Sequence, residues 1–223
     1  MTDLFDGSAD FRRYERSAFI THPCELIAFE NYDSYTLTRL SFEGRDTYLF
    51  IIKSKILIEP AIHGTFAHFI SNGAALVFSI GGMSYIANSK AVKTVGGTEM
   101  FYYAGFDAAG TLRMIPDGIL SAVESGIVHG TEASPFLVFN GKRLIIKDEI
   151  KRSRDRLLLV QLKSGEPAFI YIKNCDIARA ADYTFQLGCE RAAVIANEQC
   201  IEIYSKSIIL NRQTTGKAVF VIR

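Results

Sequence analysis

The chain contains no tryptophan. Its aromatic surface comes from tyrosine and phenylalanine alone, and only the pair Tyr102-Tyr103 offers a place for a sugar ring to stack. Cysteine is sparse, with Cys24, Cys175, Cys189 and Cys200 as the four in 223 residues. They form no C-x-x-C pair and have no histidine at ligand spacing, which argues against a structural zinc site and leaves reduced thiols as the expectation. Neither sign of charge is in excess. With 25 Lys and Arg against 24 Asp and Glu the net charge is +1, so no bulk field draws the chain to nucleic acid or to a membrane surface. Long apolar runs are missing too. The longest, residues 74–87, contains Gly81 and Gly82 and is too short to span a bilayer. The acidic opening from Met1 to Asp6 lacks the basic start and apolar run of a signal peptide. There is no P-loop, no dinucleotide fingerprint after a strand and no G-x-S-x-G elbow, so no cofactor is implied. The expectation from these absences is a protein without signal peptide, membrane span, metal or nucleic-acid partner, cytoplasmic or assembled in a virion.

What is present suits a packed core. Hydrophobic residues make up 48% and charged residues 22%, which argues against disorder, and the length suffices for one good-sized core or two small ones. Periodicity reads as a β-rich mixture with a few helices. Ser34 to Phe42 alternates, with Leu40 and Phe42 on one face beside Thr36 and Thr38, and residues 43–46 make a turn. Residues 47–52 are uniformly apolar, as in a strand buried on both faces. Pro60 is placed to open a helix through about Ser71, with Ile62, Phe66, Phe69 and Ile70 as its apolar face and Asn72-Gly73 as its end. Residues 74–83 read as a buried strand running into the paired glycines, and residues 107–110 as a turn between two strands.

Asp117 is a candidate N-cap for a short helix to about Glu124. Residues 135–146 form a hairpin around Asn140-Gly141. Residues 156–162 and 168–172 are partner strands across a turn at 163–166. Asp176 to Leu187 is an amphipathic helix carrying Ile177, Ala181 and Phe185 on one face and capped by Gly188. Short strands at 193–195, 201–204 and 218–222 close the chain. No linker, repeat or low-complexity tract divides it. The fold class expected is α+β: a single domain of mixed, mainly antiparallel sheet with a few packed helices over residues 21–223, preceded by a loosely attached N-terminal arm over residues 1–20.

Few side chains carry chemistry. His63 and His68 lie five apart, roughly 140° around a helix, so they read as one polar or capping histidine and one on the solvent face rather than as joint metal ligands. His129 sits in a loop before the hairpin and reads as structural. Residues 151–156, Lys-Arg-Ser-Arg-Asp-Arg, are the best anion site in the chain, since guanidinium forks grip phosphate in bidentate fashion. The nearby Asp148, Glu149 and Asp155 make most of that run a solvated loop.

Residues 187–200, Leu187-Gly188-Cys189-Glu190-Arg191-Ala192-Ala193-Val194-Ile195-Ala196-Asn197-Glu198-Gln199-Cys200, read as a helix end, a turn and a short buried strand. This stretch resembles the last signature of the phosphodiester glycosidase family, in which a leucine-glycine-cysteine helix end leads into a strand, an aspartate, a run of glycines and a serine. Here Ala196 stands at the aspartate, and Asn197, Glu198, Gln199 and Cys200 stand at the glycines and serine. Other pieces follow the family's order over residues 35–223. Gly81 and Gly82 match its paired glycines, although Ile80 stands at its asparagine and Met83-Ser84 at its aromatics. Residues 105–112 resemble its turn before the central region, and residues 134–142 its proline, apolar strand and glycine-lysine hairpin. Arg156, nine residues before Gly165, matches its arginine.

The resemblance implies a phosphodiester-glycosidase-like fold and a pocket built from Gly81, Gly82, Arg156, Asn197, Glu198 and Gln199. It also implies degenerate chemistry. Cleaving a sugar from a phosphodiester needs a carboxylate or water-activating group near the anomeric carbon and donors for the phosphate. Ala196 cannot serve as acid, base or ligand, and Asn197-Glu198-Gln199 cannot present the bare backbone of a glycine run to an anion. Glu198, two residues on, is the candidate replacement acid, and it needs a changed backbone path. The first reading is a non-catalytic module that binds a phosphate-bearing sugar or nucleotide, or serves in assembly, with a homo-oligomer among its partners. An active hydrolase with a rearranged site, using Glu198 or Asp155, is the second. A structural subunit of a phage particle or other multiprotein assembly, of viral or bacterial source, is the third.

Overall fold

The structure is a computed structural model, and it describes residues 11–13, 24–60, 66–80, 84–93, 102–146, 152–198, 201–205, 209–210 and 218–223. In chain order the first strands are β1 (Phe11–Arg13), β2 (Cys24–Asn31), β3 (Tyr35–Phe42), β4 (Arg45–Ile52) and β5 (Ile56–Pro60). Then come helix α1 (Phe66–Ser71), β6 (Leu76–Ile80), β7 (Ser84–Ala87), β8 (Lys90–Lys93), β9 (Tyr103–Asp107), β10 (Leu112–Ile115) and helix α2 (Gly118–Glu124). The second half holds β11 (Ile127–Glu132), β12 (Phe136–Phe139), β13 (Lys142–Ile146), β14 (Arg154–Leu162), β15 (Pro167–Cys175), helix α3 (Ile177–Gln186), β16 (Cys189–Asn197), β17 (Ile203–Tyr204), β18 (Ile209–Leu210) and β19 (Ala218–Ile222). They build three antiparallel sheets: nine strands in the order β1-β13-β12-β16-β14-β15-β4-β3-β2, five in the order β10-β9-β11-β7-β8, and five in the order β18-β17-β6-β19-β5.

The large sheet has apolar residues on both faces, and its strands show it. Along β14, Leu157 and Leu159 belong to one buried cluster while Leu158 and Val160 belong to another. The alternation follows from the two-residue period of a strand. The first cluster joins the large sheet to the other two. Phe169 stacks on Phe78 with centroids 4.2 Å apart and meets Phe220 edge-on at 5.1 Å, geometries that aromatic rings favour. The second cluster lies under α3, whose Ile177, Ala180, Ala181 and Tyr183 are buried against it. Residues 47–52 behave as expected of a strand with two buried faces: Tyr48, Phe50 and Ile52 join the first cluster and Leu49 the second.

Several local signals act as the sequence predicts. The β12–β13 hairpin turns through Asn140 and Gly141 with φ of 50° and 66°, the two left-handed residues of a type I′ turn. Asp176 caps α3, its side chain accepting the Arg179 N–H at 2.9 Å, and Gly188 follows the helix at φ 72°. In the 107–110 turn the Asp107 carboxylate accepts from the N–H groups of Ala109 and Thr111.

Other expectations are corrected. The architecture is mostly antiparallel sheet with few helices, more β-rich than α+β. Pro60 does not open a helix but ends β5, opposite Ala218; on an edge strand its missing N–H need cost no ladder bond. Within that expected helix residues 61–65, with Ile62 and His63, lie outside the described residues, and only Phe66–Ser71 is helical. The turn read at 43–46 is just Glu43-Gly44, since Arg45 already pairs with Phe42. Asp117 precedes α2 without making a capping hydrogen bond. Residues 193–195 lie inside a nine-residue strand, β16, between β12 and β14. No helix among the described residues is long and apolar enough to cross a membrane.

Candidate functional site

Arg156 organises one end of the large sheet. Its strand, β14, runs between β15 and β16, and both ladders are irregular there. Arg154 lies opposite Cys175 and Arg156 opposite Ile172, so Asp155 faces two residues, Lys173 and Asn174. Asn174 takes the left-handed backbone such a bulge uses, at φ 45°. Asp155 holds the bulge: one carboxylate oxygen accepts the Asn174 N–H at 3.0 Å, and the other accepts the Tyr171 hydroxyl at 2.7 Å. That commits Asp155, an acid considered above, to the backbone path.

Within this frame the Arg156 guanidinium points inward, with its side chain 2% exposed. Nε donates to the Cys175 carbonyl at 2.7 Å, one terminal nitrogen to Asn197 Oδ1 at 2.6 Å, and the other to the Arg152 carbonyl at 2.8 Å. Asn197 is also its Cα partner across the β14–β16 ladder. Of the residues assigned to a pocket, the structure therefore brings Arg156 and Asn197 into direct contact, with Glu198 next in the chain. Burial pushes the Arg156 guanidinium below its ordinary value, and the neighbouring Arg154 adds to this. Asp176 and Glu198 oppose both. An arginine keeps its proton under such shifts, so the end of the sheet carries a buried cation whose three direct partners are uncharged oxygens. Glu198 is half-buried with φ at 33°, so its backbone does depart from the strand. Gly81, Gly82 and Gln199, along with Gly96, Gly97, Lys151 and Cys200, lie outside the described residues.

Ala196, which the sequence resemblance sets against the family's aspartate, is 4% exposed and lies opposite Leu157. Its methyl belongs to the apolar cluster that contains Leu157 and Ile195. The neighbouring thiols are inert. Burial, with Asp176, pushes Cys175 up to about 12, and burial alone does the same to Cys189. Cys24, Cys175 and Cys189 are free cysteines. Among the described residues no group of three His, Cys, Asp or Glu side chains is placed to hold a metal ion.

Two features escaped the sequence reading. His129 is in strand β11, not a loop, and its Nδ1 accepts the Ile58 N–H of β5 at 3.2 Å, linking two sheets. Burial, then the charge of Lys55, lowers its pKa. At one end of the second sheet Ser84, Tyr103 and Glu132 form a buried polar cluster, with the Ser84 hydroxyl 2.5 Å from both the Tyr103 hydroxyl and a Glu132 carboxylate oxygen. Tyr103 is thus no sugar platform. Tyr102 packs edge-on against Phe136. No spacing in the sequence announces this cluster, because its members come from three strands.

No family model matches the chain, and no curated protein is recognisably related to it in sequence. Solved structures do resemble it. The catalytic domain of zebrafish N-acetylglucosamine-1-phosphodiester alpha-N-acetylglucosaminidase, auto-inhibited by its pro-peptide, superimposes with a TM-score of 0.60 at 10% identity, over 99% of this chain and 90% of that one. A hypothetical protein from Synechocystis gives 0.62 at 8% identity, over 92% of this chain and 64% of that one. At such identities the likeness is one of fold, and the fold is phosphodiester-glycosidase-like.

Proposed function

We propose that this chain is a non-catalytic, phosphodiester-glycosidase-like module that binds a phosphate-bearing sugar or nucleotide at the Arg156 end of its large sheet. The observation that carries the reading is the buried Arg156 cation held by uncharged oxygens alone, which leaves its positive charge uncancelled by direct contact. An anion arriving at that end gains from this field, which Asp176 and Glu198 partly offset, with the amide of Asn197 and the neighbouring Arg154 as its proposed contacts. Gly81, Gly82 and Gln199 complete the proposed pocket through the family resemblance. The methyl group of Ala196 in the apolar core supports the non-catalytic half of the reading.

The test is a thermal-shift screen with sugar phosphates, nucleotide sugars and cyclic nucleotides, repeated on Asn197→Ala and Arg154→Ala. A ligand at a hundred times its Kd adds about 2.7 kcal/mol to the native state, roughly 5–10 °C for a chain of this size. The expected result is a shift with a phosphate-bearing compound that both variants reduce. No shift across the panel overturns the ligand. Turnover of a sugar-1-phosphodiester that is lost in Glu198→Gln overturns the non-catalytic assignment in favour of a rearranged hydrolase.

A further inference from the structure

Among the described residues the three sheets end in six edge strands, and five are short: β1 has three residues, β5 five, β8 four, β10 four and β18 two. The sixth, β2, has eight. Short edges, charged side chains, prolines and bulges are the usual protections against pairing with another chain, and β5 ends on a proline while β8 begins and ends on lysine. β2, Cys24-Glu25-Leu26-Ile27-Ala28-Phe29-Glu30-Asn31, has neither residue, and its protections are two glutamates, Glu25 and Glu30, and one bulge. It also supplies three of the four large hydrophobic side chains exposed among the described residues, Leu26 at 63%, Ile27 at 47% and Phe29 at 61%.

A bulge arranges these side chains. Leu26 lies opposite Leu40 and Ala28 opposite Arg39, so Ile27 is an extra residue in the ladder. The extra residue places Leu26 and Phe29, three apart, on the same face of the sheet as Leu40 and Leu49. Both of those belong to the cluster under α3. Among the described residues this edge has no further strand beside it, and it extends a face that is already apolar.

We propose that β2 pairs antiparallel with β2 of a second copy of this chain, fusing two nine-stranded sheets into one. The strand's self-complementarity commits the occupant. A two-fold axis midway between Ile27 and Ala28 sets each Leu26 against the partner's Phe29 on one face and matches the two bulges, so neither strand slips out of register. It also sets Cys24 against the partner's Asn31, and Glu25 against the partner's Glu30, a like-charge pair that weakens the contact. With a net charge of +1 the chain has little overall repulsion against its own copy. The proposal goes beyond the ligand reading above and requires nothing of the Arg156 end.

The test is sedimentation velocity of the full chain over a hundredfold range of concentration. Expected is a reversible dimer of twice 24.8 kDa. Leu26→Lys and Phe29→Asp, both at exposed positions, each weaken it by about 30-fold, two cross-strand pairs being lost per dimer. Mixing the two variants restores a heterodimer, because the introduced ammonium of one then meets the introduced carboxylate of the other across the axis. Glu25→Gln tightens the wild-type dimer, and Asn31→Cys gives a covalent dimer through Cys24 on mild oxidation. A monomer at every concentration overturns the proposal. So does a dimer indifferent to Leu26→Lys and Phe29→Asp, whereas an absent phosphate ligand leaves this result untouched.

Discussion

Replacing Arg156 by methionine keeps most of the side-chain volume and removes every donor from the end of the large sheet. Three acceptors are then stranded to different degrees. The Arg152 carbonyl lies on an exposed residue and regains water, Asn197 is half-buried, and the Cys175 carbonyl belongs to a buried residue. An unmet buried acceptor costs roughly 1–3 kcal/mol, and the relief of desolvating a guanidinium offsets part of the total. The net loss works out at about 1–3 kcal/mol. Arg156→Lys keeps the charge and reaches one or two of the acceptors, for a loss of about 1–2 kcal/mol. Urea unfolding followed by far-UV circular dichroism reads both, the expected signature being a lower midpoint with an unchanged slope. A methionine variant within about 0.5 kcal/mol of wild type refutes the reasoning, since the cage would then contribute nothing net. So does a lysine variant less stable than the methionine one.

Gly105 and Gly130 oppose each other across β9 and β11, and a Cβ on Gly105 falls 2.4 Å from both the Gly130 Cα and the His129 carbonyl oxygen. Gly105→Ala is expected to cost more than about 3 kcal/mol or to prevent folding, and a urea midpoint near wild type would contradict this. His129 accepts the Ile58 N–H only with Nδ1 unprotonated, and its folded pKa lies below the ordinary 6.5. The native state thus binds fewer protons than the unfolded one, so this contribution is complete above about pH 6.5 and drains away as pH falls below it. His129→Asn, which offers an amide oxygen in place of Nδ1, flattens the dependence of the urea midpoint on pH between about 7.5 and 5.5; an unchanged slope counts against the assignment. A maleimide at about pH 7.5 labels exposed Cys24 and spares Cys175 and Cys189 until the chain unfolds, as peptide mass spectrometry will show. Labelling of either buried thiol at the rate of Cys24 would contradict the burial described here.

Local chemistry was legible wherever one short stretch carried the whole instruction. Asn140-Gly141 specifies its turn through two left-handed residues, and Asp176 with Gly188 marks both ends of α3. Strands whose composition contradicts their place were not legible. β5 ends in a proline that also suits a helix start, β11 contains His129 and Gly130, and β2 mixes acidic with apolar residues because much of it is not buried. The site was half legible. The spacing of Arg156 and Asn197 against a family pattern singled out two residues that do meet. That the guanidinium turns inward depends on the Cys175 carbonyl, which is set by a bulge held by Asp155 from another strand. No periodicity encodes such a contact.

The position of β19 bears on how quickly the molecule assembles. That strand lies between β5 and β6, and Ala218 pairs with Ile80, about 140 positions earlier. Closing such a loop costs about 2 kcal/mol more entropy than closing one of about fifteen residues, a cost met before any of the ladder forms. The β19 ladder is therefore expected to form after the local hairpins, as is the β4–β15 ladder, whose Thr47 and Ile172 are about 125 positions apart. Until the β19 ladder forms, β5 and β6 have no strand between them, and Phe78 and Phe220 cannot complete the aromatic stack on Phe169 that joins the third sheet to the large one. Refolding should show a slow phase that reports on Phe220, following a faster one from the hairpin-connected strands β2 to β4 and β14 to β15.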